Sequence, residues 1–334
     1  QQGTATPLTF TGILGHHLDA AGAEYDFGDF AKSALDTCHV EGKLVGLPTW
    51  ADHNFYYYRK DLFGEAGIGL LDPGKAITLE QFSEYMQKLT KREKEQYGVV
   101  TRGGARALIP MWISWLVVYG GSWKDSSGKW ALNSPAAVKS YMDYGKMLRE
   151  WGPPGITEQT DLNEIYCQGK AASYINTVVL TPTIKDPTKC GVSDKTEVSV
   201  MPGGRPYFFS WYMAISPFSK NKEAAWYFIQ WASGKKNNVR TLLMGLPPVR
   251  KSAWEDPEFT QSDIASKNKA LHAAQRASIE GGVADWLPWV HQVLDARDAI
   301  GAVVLKAAEG ASQAEVQAAA DQLIKQMEEI EKRK

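Results

Sequence analysis

Hydrophobic residues recur along this chain at helical spacing, in segments that also carry helix-start signals. Thr78 is followed three positions later by Gln81, the spacing of a capping box, and an apolar stripe begins at once. This pattern predicts a helix that runs to about Tyr97. Ser312 and Glu315 repeat the signal ahead of a terminal helix. The apolar stripe of that helix consists of Val316, Ala320, Leu323, Met327 and Ile330.

Two further helices are predicted between these. Ser134 precedes Pro135, a residue favoured in the first helical turn, and Trp151-Gly-Pro-Pro-Gly155 should stop that helix. The other should start at Ser219-Lys220 and end at Ser233-Gly234. Its inward residues are predicted to be Ala225, Phe228, Ile229 and Ala232, with Trp226 and Trp231 also assigned to the core.

Short segments rich in strand-forming residues separate the helices. They are Lys43 to Leu47, Asn54 to Tyr58, Tyr97 to Thr101, Ala171 to Val179, Val198 to Met201 and Tyr212 to Ser216. The alternation of helices and strands predicts α/β layers with mainly parallel sheets, in which ligands bind beyond the carboxyl ends of strands.

Composition and charge narrow the function classes. The 334 residues suggest about two domains. The net charge is −1 and no Lys/Arg-rich run occurs, so we expect no nucleic-acid partner. The uncharged stretch from Ala107 to Trp123 is too short for a membrane span and is interpreted as a buried helix. Because the sequence starts without a basic and apolar leader, we expect that any export signal has been removed or never existed.

No common catalytic or metal-binding motif appears in the sequence. Three cysteines, Cys38, Cys167 and Cys190, allow at most one disulfide and one free thiol, with no Cys/His cluster. The adjacent His16 and His17 are interpreted as a solvated or packing pair. We therefore expect no metal and no cofactor. Paired carboxylates of a glycosidase stay open, because they are recognised by a separation in space.

Several tryptophans lie in loops or beside Gly and Pro, where no helix or strand face requires them. Trp50, Trp211, Trp286 and Trp289 are of this kind. The C–H patches of a sugar or polyol stack on aromatic faces, and its hydroxyls need Asp, Asn, Arg or Ser partners. The aromatic content therefore suggests a carbohydrate-type ligand.

Ordered sequence blocks resemble the extracellular solute-binding proteins of ABC importers for sugars and polyols, nearest the polyol and monosaccharide branch. The resemblance covers about residues 40 to 334 and starts at Gly42-Lys-Leu-Val-Gly-Leu-Pro48. The later blocks, in the family's order, are Asn54 to Ile68, Thr101-Arg-Gly103, Gly120-Gly-Ser-Trp123, Leu132-Asn-Ser-Pro135, Trp151-Gly-Pro-Pro-Gly155, Gln168-Gly-Lys-Ala-Ala172, Met201-Pro-Gly-Gly204, Ser210 to Ile215, Ser219 to Ala225 and Gly245 to Ser252.

The resemblance implies an α/β fold of two lobes, a periplasmic-binding-protein fold with a hinge of crossing strands and a ligand cleft between the lobes. Residues 1–51 and 207–252 would form the first lobe, and residues 55–202 and 254–334 the second. Crossings are expected near Pro48 to Phe55, Met201 to Phe208 and Arg250 to Trp254. The family normally has several strand and helix units before the Gly42 block, whereas 41 residues precede it here, so the first lobe is expected to be shortened or incompletely recorded.

The family's pattern also implies a set of ligand-binding residues. The first crossing supplies Trp50, Asp52 and Asn54, with Asp52 suited to accept two hydroxyl hydrogen bonds. The second lobe supplies Arg102, Trp112, Asn176 and Thr177, and the return crossings supply Ser210, Trp211 and Arg250. Trp286 and Trp289 resemble the late aromatic that closes over a sugar, although a packed turn explains them nearly as well. For Arg250, a buried structural ion pair is the alternative.

The implied function is a non-enzymatic, monomeric receptor, periplasmic or anchored at the cell surface. It would capture a sugar, polyol or sugar derivative by lobe closure and deliver it to membrane permease subunits. A carbohydrate-active enzyme such as a glycosidase, and a receptor for another solute such as a peptide, remain the alternatives.

Overall fold

The computed structural model describes residues 25–40, 42–155 and 159–333. His16 and His17, and the start of the expected first lobe, lie outside these residues. The described chain separates into two compact units. One contains the described residues up to His53 together with Phe208–His272, and the other contains Asn54–Tyr207 and the chain from Ala273 onward.

Six strands lie in the described residues: β1 His39–Val40, β2 Lys43–Leu44, β3 Leu47–Arg59, β4 Ser173–Thr177, β5 Thr196–Val200 and β6 Phe208–Met213. The long strand β3 is the centre of the main sheet. Its first part pairs with β6 in the first unit, and its second part lies between β4 and β5 in the second unit. The same strand therefore belongs to both units, with the division between His53 and Asn54.

The prediction of mainly parallel sheets is wrong for these strands, because every ladder between them is antiparallel. Parallel pairing occurs at isolated bridges such as Tyr97 with Ala171 and Val100 with Tyr174. Residues 97–101 thus contact β4 and the chain just before it, but they do not form the predicted strand. Alternation of helices and strands does not fix strand direction, and that is why the prediction failed.

The first unit contains the helices α1 Lys32–Asp36, α8 Lys222–Ala232, α9 Lys235–Leu243, α10 Pro257–Thr260 and α11 Asp263–Lys267. The second contains α2 Lys60–Glu65, α3 Leu79–Leu89, α4 Ile109–Val118, α5 Pro135–Lys146, α6 Gln159–Cys167, α7 Thr181–Ile184, α13 Val293–Ala308 and α14 Gln313–Lys332. Helix α12, Lys269–Glu280, contains the division between His272 and Ala273. This division differs from the crossing expected near Arg250 to Trp254, because Trp254 and Phe259 pack edge-on against His272.

Local capping rules locate three helix starts correctly. Both capping boxes form, at Thr78 with Gln81 and at Ser312 with Glu315. The Ser134 hydroxyl accepts from the Ala137 amide ahead of α5. The predicted apolar stripe of α14 is buried throughout, and the uncharged stretch contains the buried helix α4.

Two helix predictions need correction. Helix α3 ends at Leu89 instead of Tyr97, because Thr90 turns to extended backbone with φ −82° and ψ 119°. Helix α8 begins at Lys222, because the Ser219 hydroxyl accepts from the Asn221 amide in a preceding turn.

The predicted buried face of α8 is also partly wrong. Trp226 and Ile229 are buried, as assigned, but Phe228 and Trp231 are 54% and 61% exposed. The helix is apolar on several sides, so helical spacing alone does not identify the face that packs.

Candidate functional site

An aromatic platform lies on the first unit where β3 pairs with β6. Trp50 and Trp211 are register partners, and their rings stack with centroids 5.5 Å apart and planes at 17°. Trp211 keeps 49% of its surface exposed, and Phe209 meets its ring edge-on. The Thr49 hydroxyl donates to the Trp211 carbonyl at 2.8 Å, which further ties the strands together. The structure therefore brings together two of the predicted tryptophans and leaves about half of the Trp211 surface exposed.

Asp52 and Ser210 lie on the same pair of strands but are buried. Asp52 follows Trp50 by two positions, so both side chains lie on one side of β3. Its exposed fraction is 7%. Ser210 is fully buried, and its hydroxyl has no hydrogen-bond partner among the described residues.

Arg250 has the contacts of a structural residue. Its guanidinium donates to the carbonyls of Ser233 and Tyr25, each at 2.7 Å, and lies 3.6 Å from the Asp29 carboxylate. The rings of Tyr25 and Phe30 cover it at 4.5 and 4.0 Å. With its side chain fully buried, Arg250 corresponds to the alternative of a buried ion pair.

A chain of hydrogen bonds links four polar side chains on and beside β4 in the second unit. Arg102 donates from Nε and Nη2 to Asn176 Oδ1 at 3.1 and 2.8 Å. The Asn176 amide donates in turn to Tyr174 Oη, and Tyr174 donates to Asn163 at 2.7 Å. Burial raises the pKa of Tyr174, so this phenol stays neutral and can serve as both donor and acceptor. Asn176 therefore holds Arg102 in place and is itself buried.

Three more residues of the predicted site are inside the second unit. Thr177 is buried and its hydroxyl accepts from the Val179 amide. Asn54 is its register partner, also buried, and donates to the Pro110 carbonyl at 2.9 Å. Trp112 stacks on Tyr141 with centroids 5.1 Å apart and has no exposed surface. The expected aromatic wall at Trp112 is therefore core packing, because α4 and α5 enclose the ring.

Trp286 and Trp289 lie in the loop before α13, and their surroundings differ. Trp286 packs against Tyr207, with centroids 5.3 Å apart. Trp289 is 60% exposed and donates from Nε1 to Asp285 Oδ1 at 2.8 Å. The Asp285 carbonyl accepts from the indole of Trp123 at 2.8 Å, which anchors the loop. Asp285 was missed from the sequence, although its place four residues before an exposed loop tryptophan was a usable signal.

A second missed feature is a group of arginines around the turn that follows residue 101. Arg297, on α13, donates from Nε to the Arg106 carbonyl at 3.0 Å. The Arg106 side chain forms a two-pronged ion pair with Asp298. Burial lowers the pKa of the Arg297 guanidinium, and the positive charges of Arg102 and Arg106 lower it further. These residues are about 190 positions apart, so no sequence pattern could have paired them.

Within residues 25–40, 42–155 and 159–333, no cluster of three or more His, Cys, Asp or Glu side chains could hold a metal ion. Of the helices that the structure describes, none combines the length and apolar character needed to cross a membrane.

Comparison with known proteins identifies relatives of this chain. Residues 3–273 match the family model described as bacterial extracellular solute-binding protein. A mannitol-binding protein from Pseudomonas aeruginosa is 29% identical over 261 residues, which cover 73% of this chain and 58% of that protein. A probable amino-acid ABC transporter periplasmic-binding protein from Sinorhizobium fredii is 27% identical, over 78% of this chain and 59% of that protein. The chain thus spans about three fifths of the length of these relatives.

Solved structures of the same architecture carry small polyols. The ABC transporter solute-binding protein from Agrobacterium radiobacter K84, in complex with ribitol, superimposes with a TM-score of 0.78 at 30% identity, covering 94% of this chain and 78% of that chain. The protein from Agrobacterium vitis S4 with bound D-mannitol gives 0.75 at 23% identity, covering 98% and 81%, and supports the fold. The family model covers well over half of the sequence, and the two-lobed α/β architecture agrees with it. This chain belongs to the bacterial extracellular solute-binding proteins.

Proposed function

We propose that this protein is the solute-binding component of an ABC importer and that it captures a sugar, a polyol or a sugar derivative. The observation that carries the proposal is the Trp50–Trp211 platform, because an exposed, ordered aromatic face suits the C–H patches of such a ligand. Family membership, the ribitol-bound relative and the mannitol-binding relative support the same ligand class.

Each unit carries candidate ligand-binding residues. The first would provide the aromatic platform and Asp52, and the second Arg102, held by Asn176, and the Trp286–Trp289 loop. A ligand favours a closed form only by binding it more tightly than the open form. The buried polar residues of the predicted set would support the residues that bind. They are Ser210 in the first unit and Asn54 and Thr177 in the second.

The partner of this receptor would be the permease of the importer, and its location the periplasm or the outer face of the cell membrane. We propose that it acts as a monomer and performs no chemistry on its cargo. The family's extracellular role supports the location.

Thermal unfolding with a panel of monosaccharides, disaccharides, polyols and acidic sugars tests the proposal. A ligand at a hundred times its Kd should raise the free energy of unfolding by about 2.7 kcal/mol. Calorimetry on each hit should give micromolar or tighter binding, and chromatography should recover the ligand unchanged.

Two outcomes would contradict the proposal. Release of product from oligosaccharides or aryl glycosides would indicate a glycosidase. Stabilisation by amino acids or peptides, with none by any carbohydrate or polyol, would indicate a receptor for another solute.

A further inference from the structure

The arginines of the second unit form a rigid group at one place on its surface. Arg102 and Arg106 lie at the two ends of the turn after Thr101, and Arg297 reaches that turn from α13. Arg297 donates from both Nε and Nη2 to the Arg106 carbonyl. Two parallel donors to one acceptor fix the orientation of the guanidinium plane.

Backbone packing holds the helix and the turn together. Gly301, one turn after Arg297, lies so close to the turn that a Cβ there would be 2.0 Å from the Ala105 carbonyl oxygen. The Tyr144 hydroxyl donates to the Arg102 carbonyl at 2.9 Å from the other side. The spacing between Arg297 and the turn is therefore set by direct backbone contact.

The charges around this group are unequally paired. Asp298 pairs with Arg106, and Asp295 lies 3.3 Å from Arg333. Arg297 is half-buried, and among the described residues it forms no ion pair with a carboxylate. Its partner is a neutral carbonyl, which orients the guanidinium without cancelling its charge. Arg102 is oriented by the Asn176 amide oxygen, and its positive charge also acts on Arg297.

Such an arrangement suits an anion better than a hydroxyl group. A guanidinium only donates hydrogen bonds, and its planar fork matches two oxygens of a carboxylate or a phosphate. Asp298, which pairs with Arg106, raises the pKa of Arg297 by less than burial and the two neighbouring arginines lower it. An anionic ligand would supply the negative charge that this half-buried guanidinium lacks.

We infer that the cargo is an anionic sugar or polyol derivative, whose phosphate or carboxylate group is bound by Arg297 together with Arg102. The inference rests on the proposed function and specifies its ligand class.

Matched ligands test the inference. Calorimetry would compare ribitol and mannitol with their phosphate monoesters and with ribonate and mannonate, at low and at physiological salt. We expect at least one anionic member of each set to bind at least about tenfold more tightly than its neutral parent. This difference in affinity should become smaller as the salt concentration rises. The phosphate and carboxylate arms identify which anion is preferred.

Variants at Arg297 test whether this residue causes the higher affinity for the anionic ligand. Arg297→Gln should lower the affinity for the preferred anion roughly 10- to 100-fold while changing the neutral parent's affinity little. Arg297→Lys keeps the charge but not the fork and should recover part of the loss. Arg205→Gln removes the same charge from an exposed site in the same unit and should leave both affinities unchanged.

The outcomes separate this inference from the proposed function. If a neutral polyol binds as tightly as its anionic derivatives, or if Arg297→Gln weakens both equally, the anionic cargo is refuted and the receptor function stands. If no sugar or polyol binds, neutral or anionic, the proposed function fails and this inference fails with it.

Discussion

The indole rings of Trp50 and Trp211 stack at a centroid distance of 5.5 Å on neighbouring antiparallel strands. One face of Trp211 is thus covered by protein, and 49% of its surface is left to solvent. An aromatic ring held in this way loses little conformational freedom when a ligand stacks on it, because its orientation is already fixed.

Replacing Trp211 by Ala should therefore lower ligand affinity at least about tenfold, since both stacking and buried apolar area are lost. Calorimetry with the hit from the ligand panel measures the change, and circular dichroism checks the fold. Trp231→Ala is the matched control, because Trp231 is also exposed, at 61%, but lies on α8 instead of on the platform strands. Equal affinities of the Trp211→Ala and parent proteins would remove the platform from the site.

Asp285 should act as a positioning residue for Trp289. Asp285→Leu removes the acceptor of the indole N–H, so we expect weaker ligand binding and an altered near-ultraviolet circular dichroism signal. Asp285→Asn keeps an oxygen acceptor and should restore most of both.

The test of this mechanism is a double-mutant cycle. In a Trp289→Ala background, Asp285→Leu should cause no further loss of affinity. An additive loss would show that Asp285 contacts the ligand itself.

Gly301 should tolerate no side chain. A Cβ would meet the Ala105 backbone at 2.0 Å, so Gly301→Ala must displace α13 or the turn and should lower the free energy of unfolding by roughly 1–3 kcal/mol. Urea denaturation measures the loss. Gly64→Ala in α2 is the control, because nothing lies within 4 Å of its Cβ position, and it should stabilise by roughly 0.5–1 kcal/mol. Equal effects of the two substitutions would contradict the close contact.

The three cysteines should react in distinct steps. Cys167 and Cys190 form a disulfide, and Cys38 is a buried free thiol. Burial raises the pKa of Cys38 to about 12, so the thiol stays protonated at neutral pH and the folded protein should not react with Ellman's reagent. Denaturant should expose one thiol, and reduction in denaturant all three. A thiol that titrates in the folded protein would contradict the burial of Cys38.

Local sequence signals predicted those features that depend on residues a few positions apart. Ser312 with Glu315 and Thr78 with Gln81 located helix starts, because a capping box is made within one turn. The end of α3, the buried face of α8 and the direction of the strands depend on tertiary neighbours, and there the predictions failed.

In the candidate site, too, features that depend on tertiary neighbours could not be predicted from local sequence signals. Trp50 and Trp211 were selected as tryptophans in loops or beside Gly and Pro, but the structure places them in β3 and β6. Trp112 was also selected and is core, since burial is a property of the folded chain. The sequence interpretation included Arg102 but could not include Arg297, whose partner Arg106 lies in a distant part of the chain. Resemblance to a family supplied the order of the elements, and only the structure showed which side chains lie on the surface.

The disulfide between Cys167 and Cys190 has a consequence for limited proteolysis. It closes residues 167–190 into a covalent ring that contains β4, the strand that carries Asn176 and Thr177. A protease that cuts once inside this ring leaves the two pieces joined, so the nicked chain migrates as one band until a reductant is added. The segment that positions Arg102 therefore stays attached to the protein after such a cut.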